Sequence, residues 1–123
     1  MTQEDKEVLI KDLCGRLPYG VICEIDNRCV KVEEINPFEG VITYDGWLSC
    51  GIDEDIKPYL RPLSSMTEEE HEEYRKYVKE VNGFTYNINC SDLIDWFNRK
   101  MFDYRGLIPK GLALEAKDGM YNN

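Results

Sequence analysis

Residues 91–116, SDLIDWFNRKMFDYRGLIPKGLALEA, constrain this chain more than any other stretch. They form its densest apolar and aromatic segment. Leu93, Ile94, Phe97 and Met101 recur at helical spacing, so the pattern predicts a short helix, capped by Asn89 or Ser91, with one apolar face. Trp96 flanks that stripe, and Phe102, Tyr104, Leu107 and Ile108 extend the apolar supply past the helix end. A short helix with this load persists only when tertiary contacts cover it. The rest of the chain must therefore supply a surface, and it offers strands.

With 123 residues the chain fits one domain, 1–123, able to bury roughly two-thirds of the surface its unfolded form exposes. The net charge of −9 opposes nonspecific binding to nucleic acid or anionic membrane; it would suit a basic partner, but a plain solvated acidic surface is favoured. No run reaches the roughly 20 apolar residues of a membrane span. The first residues, MTQEDKEVLIKDL, are charged throughout and contain no signal-peptide core, so the expected location is the cytoplasm. The five cysteines, Cys14, Cys23, Cys29, Cys50 and Cys90, are odd in number and form no CxxC pair. They are expected to be small buried apolar residues rather than a disulfide framework or zinc site.

Taken in order, Thr2 caps a first helix that carries Leu9, Ile10, Leu13 and Cys14 on one face and ends at Gly15, ahead of Pro18. From Val21 the period becomes two. Four short strands follow, at 21–25, 30–32, 41–44 and 47–52, joined by turns at 26–28, 36–40 and Asp45–Gly46. Asp-Gly is the strongest hairpin signal among these turns, and three tight turns between four strands imply an antiparallel meander. Pro58 and Pro62 predict a rigid, non-strand connector over 54–66, pressed on the core through Ile56, Tyr59, Leu60 and Leu63. Thr67 and Glu70 form a capping-box pattern that opens a helix. Tyr74, Tyr77, Val78 and Val81 extend its apolar seam until Asn82–Gly83 stops it. Phe84, Tyr86 and Ile88 then alternate as a fifth strand, and residues 116–123 form a frayed tail. The predicted architecture is α+β: a small antiparallel sheet of about five strands, curling toward a barrel, with three helices packed against it.

Chemistry is sparse. The lone histidine, His71, lies in the charged run EEEHEE on a predicted helix surface, which removes triads that need a histidine in a shaped site. Asp53, Glu54 and Asp55 could offer oxygen ligands to a divalent cation, but their spacing is not that of an EF-hand; a plain acidic loop is favoured, and a small metal-dependent enzyme is the weakest alternative. Neither GxxxxGK[ST] nor GxGxxG occurs, and no catalytic residue, metal site or cofactor is assigned. A nucleic-acid role has two forms. Aromatics near Arg61, Arg99, Lys100 and Arg105 could stack bases, or the carboxylates of 68–73 could mimic a phosphate array.

Two segments combine aromatic residues with arginine, Tyr59-Leu60-Arg61-Pro62 and Phe102-Asp103-Tyr104-Arg105-Gly106. Tyr, Trp and Arg are enriched at interface hot spots, so Tyr59, Arg61, Trp96, Asp103, Tyr104 and Arg105 are the candidate interaction residues. The local alternative, which is favoured, is that Asp103 pairs with Arg105 or caps a turn while the tyrosines reach out from the core.

The motifs MTQEDKEVLIKDLCGRLPYGV, EDIKPYLRPLSSMTEEE, and IDWFNRKMFDYRGLIPKGLALEA with GMYN resemble a family of small proteins encoded by phages and prophages of gut Bacteroides. The resemblance spans about two-thirds of the chain and leaves out the strands of 23–50 and the segment 76–90. It implies a mobile-element product in a bacterial cytoplasm and carries over no site residues. Together with the missing catalytic constellation, it yields the expectation of a non-enzymatic accessory protein acting on a host or phage protein.

Overall fold

The computed structural model of the chain describes residues 1–53, 55–87 and 90–121. Glu54, Ile88, Asn89, Asn122 and Asn123 lie outside the described residues, and with them the centre of the acidic run, the end of the predicted fifth strand and one of the two helix caps.

Helix α1 (Gln3–Arg16) opens as predicted: Thr2 Oγ1 accepts the Asp5 N–H at 3.0 Å and Asp5 Oδ2 accepts the Thr2 N–H at 3.3 Å. It does not end at Gly15. The helix runs to Arg16, a 3₁₀ turn (Leu17–Tyr19) takes Pro18 at its start, and Gly20 at φ 81° is the left-handed stop. Gly15 stays helical and serves close approach instead, because a Cβ there would stand 3.0 Å from Asn98 Nδ2 on the last helix. The inward face carries Leu9 and Leu13, with Ile10 half-buried against the core as expected, but also Asp12 and Arg16, while Cys14 is exposed.

Strands β1 (Ile22–Ile25) and β2 (Arg28–Lys31) form a hairpin across Asp26 and Asn27, both at positive φ. The expected four-strand meander then breaks. Val32 N–H still bonds Val21 O at 3.1 Å, but Glu33 N–H turns to Thr43 O at 2.9 Å. From there β3 (Glu34–Asn36), β4 (Val41–Tyr44) and β5 (Leu48–Gly51) make a separate antiparallel sheet. Tyr44 pairs with Leu48, so the Asp45–Gly46 loop has a third residue, Trp47, at its tip rather than in the strand.

The connector is the largest correction. Residues Lys57–Leu60 are strand β6, the bridge between the β1–β2 hairpin and a short parallel strand, β9 (Leu114–Glu115), giving a sheet ordered β2-β1-β6-β9. Pro58 is tolerated because it has a sheet neighbour on one side only: it faces Cys23, and β9 pairs from Tyr59 onward.

Helix α2 (Glu68–Tyr74) has the predicted capping box but stops after seven residues. Lys76 N–H folds back on Glu73 O and Tyr77 N–H on Tyr74 O. The chain then enters β7 (Val78–Val81), and Asn82–Gly83, at φ 53° and 82°, is a hairpin turn into β8 (Phe84–Asn87) rather than a helix stop. Helix α3 (Cys90–Lys100) buries Leu93, Trp96 and Phe97 and leaves Ile94 outside.

The architecture is thus α+β, with three helices and nine strands in three sheets among the described residues; no barrel closes. The main core gathers Leu9, Leu13, Val21, Ile42, Leu60 and Leu107, and a second cluster packs Val78 and Phe102 against α3. Among the cysteines only Cys23 is fully buried; Cys14, Cys29 and Cys90 are exposed, against expectation. Burial, aided by Asp12 and Cys50, pushes the Cys23 thiol up to about 12. The tail is tied down rather than frayed at Tyr121, whose hydroxyl accepts the Ile22 N–H at 2.9 Å and donates to Tyr59 O at 2.7 Å.

Candidate functional site

Of the six residues expected to form an interaction surface, Tyr59, Trp96 and Asp103 are buried and Arg61, Tyr104 and Arg105 half-buried. Trp96 is 1% exposed, Tyr59 3% and Asp103 7%. Trp96 donates its indole N–H to Glu73 Oε2 at 2.7 Å. Asp103 caps the following turn, accepting the backbone N–H groups of Leu107 and Ile108 at 2.8 and 2.9 Å. Tyr59 donates to Glu24 Oε2 at 3.0 Å, with the Cys29 thiol 3.7 Å away. The Cys29 contact, burial and Glu24, in that order, hold its hydroxyl above the usual phenol range.

The arginines are equally committed. Arg61 holds both Glu70 oxygens at 2.7 Å and lies 4.3 Å from the centre of the Phe102 ring. Its hydrogen bonds outweigh the burial of Glu70 and lower that carboxylate to about 2. Arg105 bonds Asp12 at 3.1 Å and also donates to the Tyr104 hydroxyl at 3.1 Å. Tyr104 donates onward to Asn98 at 3.0 Å and stacks on Phe97. Arg16 completes this network from α1 with bonds to Asp12 at 2.8 and 3.1 Å and to Phe102 O at 2.7 Å. The structure therefore assembles Arg61, Trp96, Asp103, Tyr104 and Arg105 around Phe102 as an internal polar frame, with Tyr59 apart. That burial takes Trp96, Tyr59 and Asp103 off the surface and matches the local alternative for Asp103.

An open groove of about 630 Å³ lies beside the Arg61–Glu70 pair and is lined further by Glu73, Lys100, Lys117 and Asp118. Most of its charges are answered internally: Glu73 takes the Trp96 N–H and approaches Lys100 Nζ at 4.0 Å, and Lys117 sits 5.5 Å from the Tyr59 ring centre. His71 is exposed on α2, outside the groove lining. In the acidic loop, Asp53 accepts the Asp55 N–H at 2.8 Å and thereby shapes a turn. No three His, Cys, Asp or Glu side chains converge to hold a metal among the described residues.

The most exposed large apolar side chains are aromatic. Phe38 is 98% exposed and Trp47 80%, each alone on a turn. Phe84, at 66%, and Tyr86, at 54%, lie two residues apart on β8 and so share one face. The register places Lys79 opposite Tyr86 on that same face, and Lys79 is exposed as well. Val78, one residue earlier on β7, points the other way and packs on the α3 cluster. The hairpin therefore presents its aromatic side to solvent.

No family model, curated protein or solved structure matches the chain. Function must be argued from this surface. The alternation from Phe84 predicts its strand β8, as the structure has it, but the helical spacing of the preceding residues hides β7 and the hairpin role of Asn82–Gly83. The described helices include none long and apolar enough to cross a membrane.

Proposed function

We propose that the protein is a non-enzymatic accessory protein that acts by contact with another protein, through the outward face of the β7–β8 hairpin. The observation that carries this is the placement of Phe84 and Tyr86: two large aromatic side chains, adjacent on one strand face and more than half exposed. Aromatic residues held rigidly on a scaffold supply interface area at low entropic cost. The internal ion pairs favour contact over chemistry or nucleic-acid binding, since Arg61, Arg16 and Arg105 are spent within the fold. The resemblance to phage and prophage proteins supports a partner in a bacterial host or in the phage itself.

The test compares the wild-type protein with the double variant Phe84→Ser/Tyr86→Ser as cross-linking bait in lysate of a Bacteroides host. The variant is first shown to fold by circular dichroism. At least one protein should be captured by the wild type and lost with the variant. Identical capture by both would end this assignment.

A further inference from the structure

Independently of the contact face, we propose that the groove where the turn after α2 meets the last turn of α3 binds a small phosphate monoester that carries a planar ring. The groove has a volume of about 320 Å³ and is lined by Glu73, Lys76, Tyr77, Trp96, Arg99 and Lys100. That volume lies at the small end of the range for ligand clefts. Its aromatic members sit together. Trp96 is buried and gives its indole N–H to Glu73, and the half-buried Tyr77 has its ring centre 6.1 Å from that of Trp96.

The arginines single this groove out. Arg16, Arg28, Arg61, Arg75 and Arg105 each pair with a carboxylate inside the fold. The remaining arginine, Arg99, makes no ion pair among the described residues and stands exposed at the groove. The chain has 24 acidic residues against 15 basic ones, so carboxylates for it to pair with are not scarce. Lys76, across the groove, is exposed and equally without an ion pair among the described residues. Lys100 reaches Glu73 Oε2 only at 4.0 Å, and that oxygen already accepts the Trp96 N–H. Three cations therefore converge with little internal compensation.

Local charge and shape select the ligand. Lys76, Arg99 and Lys100 against Glu73 give the lining side chains a net +2. The C-terminal ends of α2 and α3 return about half a negative charge each, so a positive excess remains. A phosphate monoester brings about −1.5 to −2 at neutral pH, with oxygens that match the guanidinium fork of Arg99. A planar ring attached to it can lie against Tyr77, since aromatic faces stack. The exposed Glu69 and Glu72, on the same helix as Glu73, bound the positive region, so the groove offers charge for one phosphate rather than for a run of them.

Isothermal titration calorimetry on the full chain tests this with adenosine monophosphate and phenyl phosphate, and with inorganic phosphate and a short single-stranded DNA as comparisons. At least one of the two ring-bearing esters should bind saturably with a Kd of about 1 mM or lower; the tighter of them tells a nucleotide from a phosphorylated phenol. Arg99→Ala should weaken that binding about tenfold or more while leaving thermal unfolding unchanged, because Arg99 has no ion-pair partner in the fold to lose. Lys11→Ala makes the same charge change on an exposed position of α1 and should leave binding as it is. Saturable binding by neither ester overturns the proposal, and so does equal weakening by Arg99→Ala and Lys11→Ala. Inorganic phosphate bound as tightly as the esters overturns recognition of the ring. DNA bound more tightly than either ester overturns the small ligand in favour of nucleic acid.

Discussion

Glu70 shows how single residues in this fold combine roles that sequence assigns one at a time. Its Oε1 accepts the Thr67 N–H at 3.0 Å, closing the capping box, and both oxygens hold Arg61 at 2.7 Å. The capping partner is read directly from Thr67 and Glu70 three residues apart. The Arg61 partner is nine residues away, across a 3₁₀ turn (Leu63–Ser65), and nothing in the local pattern announces it. Because the folded carboxylate is lowered to about 2, the stabilisation from Glu70 is present above its unfolded value of about 4.3 and is lost as pH falls through about 2. Glu70→Gln should therefore cost about 2 kcal/mol at neutral pH. The gap to wild type in urea unfolding should close below about pH 4; a gap that persists unchanged at pH 2 would show that the ion pair is not its source. Met101 marks another limit of local reading. The apolar stripe correctly names it as buried, but it lies past the end of α3 at φ 62°, a left-handed position more usual for glycine. That turn lets Phe102 N–H close on Phe97 O at 2.9 Å and aims residues 102–103 at Arg61.

Elements were legible where capping or turn chemistry is local, and illegible where one spacing serves two structures. Thr2 and Thr67 both cap as their sequences require. Thr67→Ala should cost about 1 kcal/mol in equilibrium unfolding, because the Glu70 N–H loses the Thr67 hydroxyl that caps it. Tyr74, Tyr77, Val78 and Val81 fit a helical face, yet Val78 and Val81 are β-branched and precede Asn-Gly, and the hairpin wins. The positive φ values at Asn82 and Gly83 are what decide it. Gly83→Ala forces a Cβ into that left-handed position and should cost about 1 kcal/mol. Amide exchange in β7 and β8 should accelerate while α1 stays protected. Uniform acceleration across the chain would mean that the hairpin is not an independent cooperative unit.

The whole molecule is held by contacts between residues far apart in sequence, which is why its topology was the least legible level. Strand β6 pairs with β9 across 55 residues at Tyr59 and Leu114, and no periodicity records that pairing. The same holds for the tail, which composition marks as frayed but which Tyr121 pins to β1 and β6 at once. Its hydroxyl can accept the Ile22 N–H and donate to Tyr59 O only while neutral, and burial holds its ionisation above the usual phenol range. A raised folded value means that the stabilisation is complete below the unfolded value of about 10 and is lost as pH rises beyond it. Tyr121→Phe should cost about 1–2 kcal/mol at neutral pH, since the Ile22 N–H loses its acceptor in a part-buried site. The variant should also flatten the loss of stability above about pH 10, because one of the three perturbed phenols is gone, Tyr44 and Tyr59 being the others. Thermal unfolding from pH 7 to 11 checks both effects. If the alkaline limb of Tyr121→Phe matches wild type, the tail hydroxyl does not couple the chain's end to its central sheet.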